Sequence, residues 1–183
     1  MSELDRDLKL GMAQPELLEA LFKDRASMEA FGARMEAELS DSSTQDRIDV
    51  GIAFMEMGLY ELAARHFQNA VQRLALETES GGPAALLSAT GLLAFALILG
   101  DRPFEATLKL QPLLRDPEIP QAEKLDLVYL MGRAYDGLKK HEDALEWYQQ
   151  VAETDPSYRD VNERLRYRNE RERASRGKGD RRR

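Results

Sequence analysis

The amino-acid sequence predicts an all-α protein, an α-solenoid of about three helical hairpins with an N-terminal helical segment and a C-terminal capping helix. Three observations point there. Apolar residues return every three or four positions through most of the chain, the period of a helix with one buried face. Glycine, proline and short polar runs interrupt that period and mark turns. One order of residues, Gly then aromatic in a first segment and Ala then aromatic in a second, occurs twice at matching places.

Residues 1–43 form the expected N-terminal segment. Its first 14 residues show little periodicity. A helix is expected from Pro15, because proline suits a first helical position. Leu17, Leu18, Leu21 and Phe22 are its apolar residues, followed by Met28, Phe31 and Met35 after the polar patch Lys23–Ser27. Phe31-Gly32 is the expected point of division into two helices. Ser40–Thr44 reads as a loop, since its short polar side chains compete for backbone hydrogen bonds.

The hairpin array is expected over 44–158, in units 44–77, 87–120 and 125–158. In the first, Val50-Gly51 and Phe54 lie before a turn at Gly58, and Tyr60, Ala63, Phe67 and Ala70 lie after it. Glu79–Pro83 is a loop by composition. In the second, Thr90, Leu93, Ala94 and Leu97 precede the turn Gly100–Pro103, and Ala106, Leu110 and Leu113 follow. In the third, Leu127, Val128, Met131, Ala134 and Tyr135 share a face. Gly132 lies in that face, where the missing side chain lets another helix approach. Gly137–Asp143 is the expected turn, and Ala144, Leu145, Tyr148 and Val151 make the second stripe. Asp155-Pro156 ends it, because proline cannot continue a helix.

This order resembles the tetratricopeptide repeat, a helix–turn–helix unit of roughly 34 residues. Val128, Met131-Gly132, Tyr135, Ala144, Tyr148 and Pro156 stand in the signature places, and Gly51, Phe54, Tyr60, Ala63 and Phe67 repeat them. Val128 replaces the usual tryptophan and Val151 an alanine. Arg47 takes the first large position of its unit, and the middle unit keeps the signature poorly. The group most resembled is bacterial repeat adaptors, some of which serve motility, polarity or secretion assemblies.

Residues 159–174 read as the capping helix, with Tyr158, Val161 and Leu165 on one side, since a repeat stack needs a polar outer end. Residues 175–183 read as a disordered basic tail. Positions 159–183 carry 11 Lys and Arg against 5 Asp and Glu, and the remainder 15 against 28. Such a tail suits phosphate neutralisation, which leaves a nucleic-acid-associated adaptor as the alternative reading. Glu163, Glu170 and Glu172 interleave with its arginines, and only Tyr158 and Tyr167 are near for base stacking, so nucleic acid is disfavoured.

Other chemistry finds little support. Cysteine is absent, and His66 and His141 have no further ligand at metal spacing, so no metal, cofactor or catalytic residue is expected. An enzyme of unrecognised class is the second alternative. The start MSELDRDLKLGMAQ is unlike a secretory signal. The longest apolar run, Leu92–Leu99, is short of the roughly 20 residues of a membrane-crossing helix. A cytoplasmic location without a membrane span is expected.

The resemblance implies a different function: a non-catalytic adaptor or scaffold that binds a peptide or amphipathic helix of a protein partner. Carried over position by position, the concave groove comprises Ile48, Ile52, Met55, Phe95, Leu99, Tyr129, Arg133 and Asp136, with Gln45, Ser88, Leu92 and Asp126 beside them. An apolar face of that size is a liability when bare. The expected cover is Leu17, Leu18, Leu21 and Phe22, with self-association or a partner as alternatives.

Overall fold

The structure, a computed structural model, describes residues 22–76 and 82–166. Seven α-helices and one 3-10 turn occur among them: α1 (Arg25–Glu38), α2 (Thr44–Glu56), α3 (Tyr60–Leu76), α4 (Gly82–Leu99), α5 (Pro103–Arg115), the turn Gln121–Lys124, α6 (Leu125–Gly137) and α7 (His141–Thr154). Residues 161–166 are also helical. From α2 onward each helix packs on the next, and α4 also packs on α6. The fold is therefore all-α with sequential helix packing, the arrangement of a generic helical-repeat protein.

Local chemistry places the boundaries. Asp24 caps α1 by accepting the Ser27 backbone N–H at 2.7 Å. Ser43 and Asp46 form a reciprocal capping box at α2, which satisfies two otherwise orphaned donors. Positive φ at Asp101 (57°) and Lys139 (60°) turns the chain between α4 and α5 and between α6 and α7.

Several boundaries differ from those expected. α1 runs unbroken through Phe31-Gly32 and starts at Arg25 behind the Asp24 cap, while the expected start at Pro15 lies outside the described residues. Gly32 serves packing instead: a β-carbon there would lie 2.6 Å from Leu62 Cδ2. Pro83 belongs to the first turn of α4, where its missing N–H breaks no helical bond. His141 opens α7 rather than lying in the turn. The last helical segment begins at 161 rather than 159, and Arg159, with φ 45°, precedes it. Leu17, Leu18, Leu21 and the tail 175–183 lie outside the described residues.

The core follows the small-and-large order of the sequence. Ala63, Ala106 and Ala144, near the starts of α3, α5 and α7, are all fully buried. Gly51 faces the ring of Phe67, and Gly132 that of Tyr148. In the middle hairpin the corresponding places hold Ala94 and Leu110, both fully buried. A β-carbon has been gained on one helix where an aromatic ring has been exchanged for a smaller side chain on the next.

α4 has no charged residue, and its 18 residues, with mean hydropathy 2.0, meet the length and composition of a membrane-crossing helix. In the fold it packs against α3, α5 and α6, burying Leu87, Leu93, Ala94 and Leu97 among others. An all-round apolar helix is thus accounted for as a core element.

Candidate functional site

α2 turns Arg47, Gly51 and Phe54 into the protein and leaves its neighbouring apolar stripe near the surface. Ile52 is 38% exposed, and Ile48 and Met55 are half-buried. On α4, Leu92, Phe95 and Leu99 are also half-buried. Both helices pack on α3, and no side chain of α4 carries charge. Arg133 of α6 lies with its guanidinium 5.8 Å from the centre of the Phe95 ring, a cation–π contact joining α4 to α6.

The third part of the expected groove is closed. Tyr129 is 1% exposed, and its hydroxyl donates to Asp160 Oδ1 at 2.6 Å. Tyr158 donates to Asp126 at 2.8 Å, and Arg159 pairs with the same carboxylate at 2.7 Å. Arg164 Nε donates to Asp160 Oδ1 at 3.0 Å, while its Nη2 stands 2.8 Å from Oδ2 as an ion pair without hydrogen-bond geometry. The Arg159 and Arg164 guanidinium groups both lie over the Tyr129 ring, at 5.1 and 5.8 Å. Val161 is fully buried beside them.

Electrostatics bind this layer. Burial alone would raise the Asp160 carboxyl, but hydrogen bonds from Arg164 and Tyr129 outweigh it and hold the group below the usual carboxylate range. Burial, aided by the bond to Asp126, pushes the Tyr158 phenol up to about 12. Asp136 accepts a bond from the Tyr148 hydroxyl at 2.8 Å and lies 3.7 Å from Arg164 Nη1. Tyr129, expected as an open groove residue, is therefore closed to solvent, while Asp136 is half-buried with its carboxylate bonded to Tyr148. The cover comes from the segment after α7. Phe22, the described member of the expected N-terminal cover, meets Phe31 instead, with ring centres 5.4 Å apart.

A cleft of about 490 Å³ involves α1, α3, α4 and α5, with Glu36, His66, Asn69, Arg102, Glu105 and Lys109 in its lining. Two pairs among its polar groups, Glu36 with Asn69 and Arg102 with Glu105, are engaged with one another. Glu36 Oε1 accepts from Arg47 and Asn69, both at 2.6 Å, and so clips α1 onto α2 and α3. His66 is 1% exposed, and its Nδ1 makes no hydrogen bond, lying 4.0 Å from Glu36 Oε2. Burial holds this imidazole below its ordinary pKa. Arg102 binds Glu105 through two contacts of 2.6 Å. No cluster of three or more metal-ligating side chains occurs among the described residues.

One surface feature was absent from the sequence reading. Phe104 is 60% exposed and Leu108 51%, one helical turn apart on α5. Their phase was a usable signal, since the buried set of α5 is Pro103, Ala106, Thr107 and Leu110. Compared with known families and curated proteins, the sequence matches no family model and no curated protein.

Proposed function

We propose that this chain is a tetratricopeptide-like, non-catalytic adaptor that holds a helical segment of a protein partner on the first-helix face of α2 and α4. The observation that carries the reading is the half-exposed apolar set Ile48, Ile52, Met55, Leu92, Phe95 and Leu99 on two helices that pack against the same neighbour. Apolar side chains at helical spacing suit a partner presenting its own i, i+3, i+4 and i+7 anchors. The repeated Gly-on-aromatic and buried-alanine relations support the repeat frame from which this face is assigned.

The test is direct binding of labelled amphipathic helical peptides to the full chain, followed by fluorescence anisotropy. Ile52→Asp should abolish binding while leaving the circular dichroism spectrum unchanged, because the residue is partly exposed. A Phe104→Ser/Leu108→Ser variant should bind as before. Binding that survived Ile52→Asp but vanished in the α5 variant would move the site to α5 and overturn the proposed face.

A further inference from the structure

We infer that the segment held on the α2–α4 face is a cationic amphipathic helix. The inference rests on the proposed binding face and adds the charge of its occupant. Every solvent-facing charge on α2 is a carboxylate: Asp46, Asp49 and Glu56. The helix has one cation, Arg47, which is 3% exposed and bonded to Glu36 and to the Leu39 carbonyl. It contributes no positive charge to the face.

Asp49 and Glu56 lie three residues before and four after Ile52, so all three share one side of the helix. Among the described residues no Lys or Arg pairs with either carboxylate; Asp49 accepts only from Gln45, at 2.8 Å. α4 adds apolar surface and no charge. Beyond it, Asp126 is already paired with Arg159, and Arg133 rests over Phe95. The face thus has an unpaired acidic border on α2, an apolar middle, and a neutralised or positive border at α6. A helix with lysines or arginines along the flank facing α2 matches this pattern, and one flanked by carboxylates is repelled by it.

The protein already uses this pairing on itself. The Arg159 guanidinium, from the segment after α7, bridges a carboxylate and two aromatic rings, at 2.7 Å from Asp126 of α6 and 5.1 and 5.3 Å from the Tyr129 and Tyr158 ring centres. On α2, where Gln45 holds the place of Asp126, the carboxylates Asp49 and Glu56 have no such cationic partner among the described residues. Exposed ion pairs contribute little singly, so two of them should change affinity by about tenfold at low salt. The difference should shrink as the Debye length falls to roughly 8 Å at physiological ionic strength.

Three synthetic helices with one leucine stripe and Lys, Gln or Glu flanks, titrated into the full chain at low and high salt, test this. The expected order of affinity is Lys, Gln, Glu, with about tenfold between the first two at low salt. Asp49→Lys/Glu56→Lys should invert the order. Equal binding of all three, still lost in Ile52→Asp, would overturn the charge inference and leave the binding face standing. Binding of none would remove both. A cation preference that appeared only after removal of residues 167–183 would make the chain's own arginines the occupant and overturn the assignment to a partner.

Discussion

Tyr148 lies across Gly132 so closely that a β-carbon at that position would come within 2.6 Å of the ring's Cε1, and Phe67 covers Gly51 at the same distance. These contacts set the separation of α6 from α7 and of α2 from α3. Both rings are fully buried, so neither can swing aside into solvent.

Gly132→Ala and Gly51→Ala should each destabilise the protein by about 1–3 kcal/mol through overpacking. Helix propensity acts the other way, by roughly 1 kcal/mol in favour of alanine. A stabilised variant in urea unfolding would mean that the rings yield and the contact does not limit approach. Tyr148→Leu should relieve the cost of Gly132→Ala, giving a favourable coupling in a double-mutant cycle.

The C-terminal layer should be a cooperative part of the fold. Arg164 and Asp160 have side chains only 14% and 12% exposed. Arg164→Met therefore leaves a buried carboxylate with one fewer cation, and a loss of about 3 kcal/mol is expected. Tyr129→Phe, which removes a single hydrogen bond to that carboxylate, should cost about 1 kcal/mol. Similar losses in the two variants would show that the ion pair adds nothing beyond the hydrogen bonds.

The apolar stripe should divide energetically. Ile52→Ala, at a partly exposed position, should change stability by no more than about 0.5 kcal/mol. Tyr129→Ala, in the closed third of the stripe, should cost about 3–5 kcal/mol. Thermal unfolding of the two variants reads the division directly, and comparable losses would place Ile52 under cover as well.

His66 should make stability depend on pH in the weakly acidic range. Its folded pKa is lowered, chiefly by burial, so the folded state favours the neutral ring. The contribution is fully present above the unfolded value of about 6.5 and is lost as pH falls through the folded value. The urea midpoint should be lower at pH 5.5 than at 7.5. His66→Gln, which cannot take up the proton, should flatten that difference; an unchanged slope would assign the effect to other groups.

Residue order alone determined the helical character, most turn positions and the small residues that meet aromatic rings. Helical period, Gly51, Gly132 and the buried alanines are local features, because neighbours three and four positions apart share a face whatever surrounds them. Tertiary structure decided which faces stay open. Tyr129 and Ile48 occupy equivalent places in the repeat frame, yet Tyr129 is 1% exposed and Ile48 only half-buried. The difference is made by Tyr158, Asp160 and Arg164, which return some thirty positions later to cover one and not the other. Gly32 likewise reads as a break when viewed along the chain, and as a close helix contact once Leu62 is set against it. Cover depends on contacts between distant segments, and periodicity carries no information about those.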